Sequence, residues 1–164
     1  TNYKVHGGVG NGKLDFWLNV CKPLSQDKAW TSLSLISDAS VIAFNGSVPT
    51  SYGVALDSPA FAANGDLILN YTRGSTCDKD VQYSSAIIFR CSPSTFPGQP
   101  VVESSLNPCH VEFLWLTSVA CKNQHQVHRY DDKSNECHIF NDLLGKYVDL
   151  SGWERQNKGI KNDR

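Results

Sequence analysis

Six cysteines are the residues whose chemistry is most informative in this 164-residue chain. They include no Cys-x-x-Cys pair, and their spacing fits no zinc-binding template. Two triplets that accept N-linked glycans accompany them, Asn45-Gly46-Ser47 and Asn70-Tyr71-Thr72. An even number of cysteines beside such triplets favours an oxidising compartment in which the cysteines form disulfide bonds. The cysteines are Cys21, Cys77, Cys91, Cys109, Cys121 and Cys137.

Several other polar clusters could do chemistry, but each has a simpler interpretation. Histidines at 125, 128 and 138 lie near Asp131 and Asp132 and could bind a metal ion, yet solvated linker residues explain them better. Serine, histidine and aspartate all occur, but no Gly-x-Ser-x-Gly motif does. We therefore expect no catalytic residues, no metal site, no cofactor and no enzyme activity.

A glycine-rich stretch, 7–12, could be mistaken for a phosphate-binding loop. Such a loop follows a strand and opens a helix, and neither pattern surrounds this stretch. The sequence favours a hairpin connection here instead.

Charge and hydropathy exclude two classes of partner. The chain has 15 basic and 16 acidic residues, so its net charge is -1. That balance argues against binding to nucleic acid or to a membrane surface. No apolar run approaches the ~20 residues needed to cross a bilayer, so this segment is not expected to contact the membrane directly. The polar start, 1–13, is not typical of a signal peptide.

Short apolar runs separated by turn residues predict an all-β sandwich or flattened barrel. The clearest runs are 14–20, 66–71, 85–89 and 111–115, and none shows helical spacing. Trp17, Phe113 and Trp115 lie within these runs and are expected in the core. Trp30 and Trp153 lie in loop-like stretches and are the better candidates for interface residues.

The last third of the chain has a different character. Residues 122–135 are polar and indicate a linker. Two further strand signals follow Cys137, at Ile139-Phe140 and at 146–150. A compact unit therefore ends near Cys121, and a new one begins near Cys137.

Four blocks in order resemble the mannose 6-phosphate receptor homology repeats, with the nearest relatives among repeats of the cation-independent receptor. Residues 16–24, FWLNVCKPL, are similar to the strand Y-x-N-V-C-x-P-L. Residues 65–77 resemble G-x-L-x-L-x-Y-x-x-G-x-x-C, and 85–91 resemble S-x-I-x-F-x-C. Residues 109–121 resemble C-x-x-x-F-x-W-x-T-x-x-A-C. The resemblance implies a disulfide-stapled, flattened β-barrel of two crossed antiparallel sheets.

The resemblance also implies the disulfide pairing. In the family the last four cysteines of a repeat pair in an interleaved way, which here gives Cys77–Cys109 and Cys91–Cys121. Cys21 and Cys137 remain. Either they bond to each other, or each has a partner outside this chain, and we favour the internal bond because no cysteine is then left over.

Residues 137–140, CHIF, followed by 145–150, GKYVDL, resemble the opening of such a repeat, C-x-v-x-D followed by G-x-x-x-D-L. The expected organisation is a repeat body at 1–123, a linker at 124–136 and opening strands at 137–164. Those strands begin the next repeat of a tandem array or complete this one in permuted order.

Sugar-binding repeats of the family hold mannose with Gln, Arg, Glu and Tyr. Carried over one at a time, these positions hold Val41, Tyr83, Leu114 and Val119 here. Because Leu and Val cannot bond sugar hydroxyls, we expect the sugar pocket to be degenerate. Gln82, Arg90 and Glu112 lie nearby and could substitute after a shift in register.

The resemblance therefore implies a non-catalytic repeat of a lysosomal-enzyme sorting receptor that does not bind mannose 6-phosphate. It would act as a spacer or bind a protein ligand, with neighbouring repeats as partners and N-glycans on Asn45 and Asn70. It would lie in the secretory or endosomal lumen or outside the cell. Two alternatives stay open, a divergent carbohydrate-binding lectin and a substrate-recognition subunit of a glycan-processing enzyme.

Overall fold

The structure, a computed structural model, describes residues 2–9, 12–25, 38–56, 58–103 and 106–121, together with the backbone of 138–141 and 146–149. The regular secondary structure of these residues is almost entirely β, and their one short 3₁₀ turn is Ser118–Ala120. No helix within the described ranges is long and apolar enough to cross a membrane. The expectation of an all-β fold is confirmed.

The first four strands form a meander in which each strand is antiparallel to the next. They are β1 (Tyr3–Val9), β2 (Gly12–Leu18), β3 (Val41–Asn45) and β4 (Val48–Ala55). The following strands are β5 (Ala60–Phe61), β6 (Leu67–Thr72), β7 (Thr76–Asp78), β8 (Val81–Gln82), β9 (Ser84–Cys91), β10 (Pro100–Glu103) and β11 (His110–Thr117). In the tail, β12 (His138–Asn141) and β13 (Lys146–Asp149) pair with each other, as the strand signals there predicted.

The strand order of the main sheet is β1-β2-β3-β4-β6-β9-β11-β10, with β5 beside β6. Strand β4 joins the two halves, since it pairs with β3 as far as Gly53 and with β6 from Val54 onwards. Gly53 has a φ of 131°, and an added Cβ would lie 2.6 Å from the carbonyl carbon of Tyr71. Only glycine fits at the residue where the strand changes partners.

The two ends of this strand order meet, so the sheet nearly closes into a barrel. Gly7 of β1 faces Val102 of β10 so closely that any added Cβ would overlap the valine side chain. The rings of Tyr3 and Trp115 meet edge to face, 4.7 Å apart, at the same junction. This arrangement confirms the expected barrel.

The barrel interior is filled by large side chains from alternate positions of the strands. The largest fully buried residues are Trp115, Tyr71, Phe16, Phe89 and Phe113. Burial of each apolar side chain contributes roughly 1.5–3 kcal/mol, which makes this cluster the main stabilising feature. The core positions predicted for Phe113 and Trp115 are confirmed, whereas Trp17 is only partly buried against a separate cluster of Leu24, Ala39 and Ile42.

Two details differ from the sequence-based expectation. Strands β9 and β11 run parallel, whereas the resemblance implied antiparallel sheets. The hairpin predicted in 7–12 is present but tighter than expected, because β1 and β2 pair up to Val9 and Gly12, so Gly7 and Gly8 lie within β1. Glycine tolerates extended backbone, and here the missing side chain at Gly7 lets β1 approach β10.

Two disulfide bonds join the strands of the second half, in the interleaved pairing that the resemblance implied. Cys77 is bonded to Cys109 and Cys91 to Cys121, with Cα separations of 5.7 and 4.5 Å. Cys21 is also disulfide-bonded, and its partner lies outside the described residues.

Several predictions fall outside the described residues. They concern the linker 124–136, the interface candidates Trp30 and Trp153, and Cys137. The candidate metal ligands at 125, 128, 131 and 132 also lie there, and only the backbone of His138 is described.

Candidate functional site

The first carried-over sugar position, Val41, begins β3 and is fully buried in the main core. Its neighbours across the sheet are Leu18 of β2 and Gly53 of β4, and a bulge separates its register from that of Ile42. A side chain sealed into the barrel cannot reach a ligand at the surface. Val41 therefore packs as a core residue.

The second position, Tyr83, precedes β9 and lies against another tyrosine. Its ring centroid is 4.5 Å from that of Tyr52, with the planes tilted by 38°. The Tyr83 backbone N–H donates to the Ser75 carbonyl at 2.8 Å, and its carbonyl accepts from Gly74 at 3.0 Å. Burial, and then the nearby Tyr83 phenol, raise the pKa of Tyr52 to about 12. The position that the sequence analysis carried over from the family's arginine is thus occupied by one ring of an aromatic pair.

The last two positions are Leu114, within β11, and Val119, just beyond the end of that strand. Leu114 alternates with the buried Phe113 and Trp115, so its side chain is on the outside of the barrel wall. Val119 is in the 3₁₀ turn, and its backbone N–H donates to the Thr117 hydroxyl at 3.3 Å. The structure therefore does not gather the four positions into one cradle, because Val41 is inside the wall and Leu114 is outside it.

The substitute residues do not rebuild a cradle either. The Arg90 guanidinium donates to both oxygens of the Asp66 carboxylate, from Nη2 to Oδ2 at 2.7 Å and from Nε to Oδ1 at 3.2 Å. Glu112 is on the outer face of β11 with Leu114. Gln82 is exposed in the short strand β8. Each side chain is on a different strand, and Arg90 already has a partner.

A serine–histidine contact that the sequence analysis missed links β9 to β11. The Ser84 hydroxyl is 2.7 Å from Nδ1 of His110, and these two residues are directly opposite in the parallel register. The other ring nitrogen, Nε2, is 3.8 Å from the Glu112 carboxylate, which is too long for a hydrogen bond. The contact ties two strands together, and no local signal could have predicted it because the residues are 26 positions apart.

Both glycan-acceptor asparagines have exposed side chains. Asn45 ends β3 at the turn into β4, where Gly46 and Ser47 are also exposed. Asn70 lies in the middle of β6, and Thr72 is exposed two residues later on the same face. No group of three or more His, Cys, Asp or Glu side chains that could hold a metal ion occurs among the described residues.

Comparison with known proteins gives a consistent picture. The family model for the cation-independent mannose-6-phosphate receptor repeat matches residues 80–163, a little over half of the chain. The human cation-independent mannose-6-phosphate receptor is 27% identical over 151 residues, which is 92% of this chain. The match covers 6% of that receptor, so the chain spans a small part of its relative's length.

Two solved structures share the fold. Chicken IGF2R domain 11 has a TM-score of 0.57 and 23% identity, with 76% of this chain and 79% of that domain covered. Domain 11 of the echidna mannose-6-phosphate/IGF2R receptor, solved by NMR, has a TM-score of 0.52 and 23% identity, with coverage of 67% and 74%. At this identity the likeness shows the fold and nothing finer.

Proposed function

Because this chain belongs to the family of cation-independent mannose-6-phosphate receptor repeats, we propose that it is a non-catalytic repeat of a lysosomal-enzyme sorting receptor. In this proposal it does not bind mannose 6-phosphate. It serves as a spacer or as a protein-ligand-binding module in the lumenal or extracellular part of the receptor. Its partners are the neighbouring repeats and, in the second role, one protein ligand.

The observation that carries this proposal is the chemistry at the four carried-over sugar positions. Hydrogen bonds to charged groups contribute roughly 1.5–3 kcal/mol each. A millimolar to micromolar lectin has only about 4–8 kcal/mol of binding free energy in total. Replacing the Arg and Glu positions by Tyr83 and Leu114 removes both charged partners, which is most of that total.

The geometry supports the same conclusion. A ligand cradle needs polar side chains that converge on one hollow. Here Val41 is sealed in the core, Tyr83 packs on Tyr52, and Leu114 lies outside the wall. Restoring a sugar site would require changes on both faces of the barrel.

The domain division is part of the proposal. We propose that 1–123 is the body of one repeat, that 124–136 is a linker, and that 137–164 opens a repeat. One observation supports it: the tail strands β12 and β13 pair with each other in a two-stranded sheet of their own.

The deciding experiment is a binding titration of the purified chain with phosphomannosyl and high-mannose glycans. The positive control is a family repeat that carries the full Gln, Arg, Glu and Tyr set. We expect saturable binding by the control and none by this chain. Specific micromolar binding would establish the lectin alternative instead. Stoichiometric co-purification with a glycan-processing catalytic subunit would establish the third interpretation.

A further inference from the structure

The outward-facing side chains of β6, β9, β11 and β10 form ordered rows on the outer face of the barrel. Burial alternates along β6 and β11, so every second side chain points away from the core. The strand registers place these side chains side by side across the sheet. We call this surface the outer face.

One row of the outer face is apolar from end to end. Ile68 is opposite Ile88, Ile88 is opposite Leu114, and Leu114 is opposite Val101. Val101 is 54% exposed, and Leu116, one position further along the same side of β11, is 42% exposed. We call the four cross-strand residues the apolar row. Ile68, Ile88 and Leu114 are each partly exposed, so the apolar row is a candidate contact surface.

The adjacent row, which we call the polar row, carries two carboxylates and one amide, and its fourth member, Ala86, is buried. In register it consists of Asn70, Ala86, Glu112 and Glu103. Glu112 and Glu103 are directly opposite each other on neighbouring strands, a pairing that like charges disfavour. Hydrogen-bond donors from a ligand above this row would stabilise both carboxylates.

Asn70 is the glycan acceptor, and it lies in this polar row. Its side chain and that of Thr72 are exposed on the outer face. Residues two apart on a strand are about 7 Å apart, so a glycan on Asn70 starts one step from Ile68 and the apolar row. The attachment holds the sugar at a high effective concentration over this surface.

We propose that an N-linked glycan on Asn70 lies across the outer face and covers the apolar row. The first sugars have an apolar C–H face and a rim of hydroxyls. The C–H face packs on Ile88 and Leu114, and the hydroxyls donate to the carboxylates of Glu112 and Glu103. The consequence is that neighbouring repeats and protein ligands must contact another surface of this barrel.

The attachment chemistry is a glycosyl transfer in the secretory pathway. The side-chain nitrogen of Asn70 forms a bond to C1 of the sugar as the bond from C1 to a polyprenyl pyrophosphate donor breaks. The amide loses one proton, and the pyrophosphate is the leaving group. The other acceptor, Asn45, lies at a hairpin turn away from both rows, so its glycan has no such surface to cover.

The test uses the full chain, secreted from cells that add N-glycans, with three variants. Thr72→Ala removes the acceptor triplet and keeps Asn70, whereas Thr72→Ser keeps the triplet. Asn45→Gln removes the other glycan and is the matched control. Mass spectrometry measures site occupancy, and anilinonaphthalene sulfonate fluorescence measures accessible apolar surface. Isotope-labelled isoleucine and leucine methyl groups allow NMR contacts from the first sugar to be detected directly.

We expect Asn70 to be occupied and Thr72→Ala to raise dye fluorescence several-fold. Thr72→Ser and Asn45→Gln should leave dye fluorescence unchanged, and sugar protons should contact the Ile88 and Leu114 methyl groups in the wild type. Enzymatic removal of the glycan from folded protein should reproduce the dye result if Thr72→Ala folds poorly. The proposal is overturned by an unoccupied Asn70, by unchanged dye binding, or by the absence of contacts between sugar protons and these methyl groups.

This inference depends on the proposed lumenal or extracellular location, and the experiment separates the two. Absence of glycan at both asparagines in natively purified receptor would contradict the location. An occupied Asn45 with a bare Asn70, or with a glycan on Asn70 that does not contact the barrel, would contradict only the inference.

Discussion

The hydroxyl of Tyr71 donates a hydrogen bond to the backbone carbonyl of Asn19 at 2.9 Å, inside the fully buried core. Burial raises the pKa of Tyr71 well above its ordinary value, and a backbone hydrogen bond from Cys21 opposes part of that rise. One phenol therefore fixes the turn that ends with Cys21, a residue with a φ of 58°. This contact joins the tyrosine of one sequence block to the Asn-Val-Cys of another.

Replacing Tyr71 with phenylalanine should destabilise the fold by about 1–3 kcal/mol, because the Asn19 carbonyl is left buried without its donor. Denaturant unfolding of the two proteins measures the difference. Tyr52→Phe is the matched control, another buried tyrosine, and its effect at neutral pH should be smaller. Equal effects of the two substitutions would mean that the hydroxyl of Tyr71 contributes nothing specific.

The raised pKa of the buried Tyr52 phenol predicts that the fold loses stability at alkaline pH. Burial raises the pKa of its phenol from 10.0 in the unfolded chain to about 12 in the fold. The stabilising contribution is therefore complete below pH 10 and is lost as the pH rises from there to about 12. Unfolding free energies measured across this range should fall less steeply for Tyr52→Phe than for the wild type. Phenolate absorbance of the wild type should show a tyrosine that titrates late, and its absence would contradict the prediction.

Local patterns were sufficient to predict some strands and insufficient for others. The apolar runs predicted β2, β6, β9 and β11 because their alternating side chains are visible in any short window. The end of β1 was assigned to the hairpin connection because Gly7 and Gly8 are atypical of strands. The role of Gly7 depends on its contact with Val102, far away in sequence. No short sequence pattern predicts the parallel pairing of β9 with β11 either.

The candidate site, like the fold, could be predicted only in part from the sequence. Counting from cysteines assigned three of the four carried-over sugar positions, and the residue types at all four predicted the loss of polar partners. The counting could not show that Val41 and Leu114 lie on opposite sides of the barrel wall, because face assignment depends on register and bulges. The rows of the outer face could not be predicted either, because they depend on how four strands align across the sheet.

The ion pair between Asp66 and Arg90 predicts an acid-dependent contribution to stability. Hydrogen bonding from the Arg90 guanidinium lowers the pKa of Asp66 against the opposing effect of burial, and Asn64 adds to the lowering. A lowered carboxyl pKa contributes stability above the unfolded value of 3.8 that is lost as the pH falls below it. Arg90→Met should raise the Asp66 pKa measured by NMR, reduce stability at neutral pH and flatten the acid limb. The exposed Arg73 provides a control, since Arg73→Met should leave the Asp66 titration unchanged.

The disulfide of Cys21 predicts the outcome of a peptide map without reducing agent. We expect a peptide containing Cys21 joined to one containing Cys137, beside the Cys77–Cys109 and Cys91–Cys121 pairs. Monomeric protein must give this result if the chain closes on itself. A Cys21 peptide found only in a disulfide-linked dimer, or with a free thiol at Cys137, would instead indicate a repeat array cut out of phase.

Closure of the barrel depends on the absence of a side chain at Gly7. Gly7→Ala should cost about 1–3 kcal/mol, because the new methyl group overlaps the Val102 side chain and β1 must move away from β10. Gly8→Ala is the matched control. Its added Cβ would be 3.5 Å from the nearest atom, the Gly12 carbonyl oxygen, so we expect no loss and up to about 1 kcal/mol of gain from a stiffer unfolded chain.

A double-mutant cycle separates this clash from any intrinsic effect of alanine in β1. Val102→Ala alone removes apolar packing and should destabilise the protein. Combined with Gly7→Ala it should cost less than the sum of the two single changes, by at least about 0.5 kcal/mol, because the smaller side chain makes room for the methyl group. Additive costs would mean that Gly7 and Val102 do not meet at the seam of the barrel.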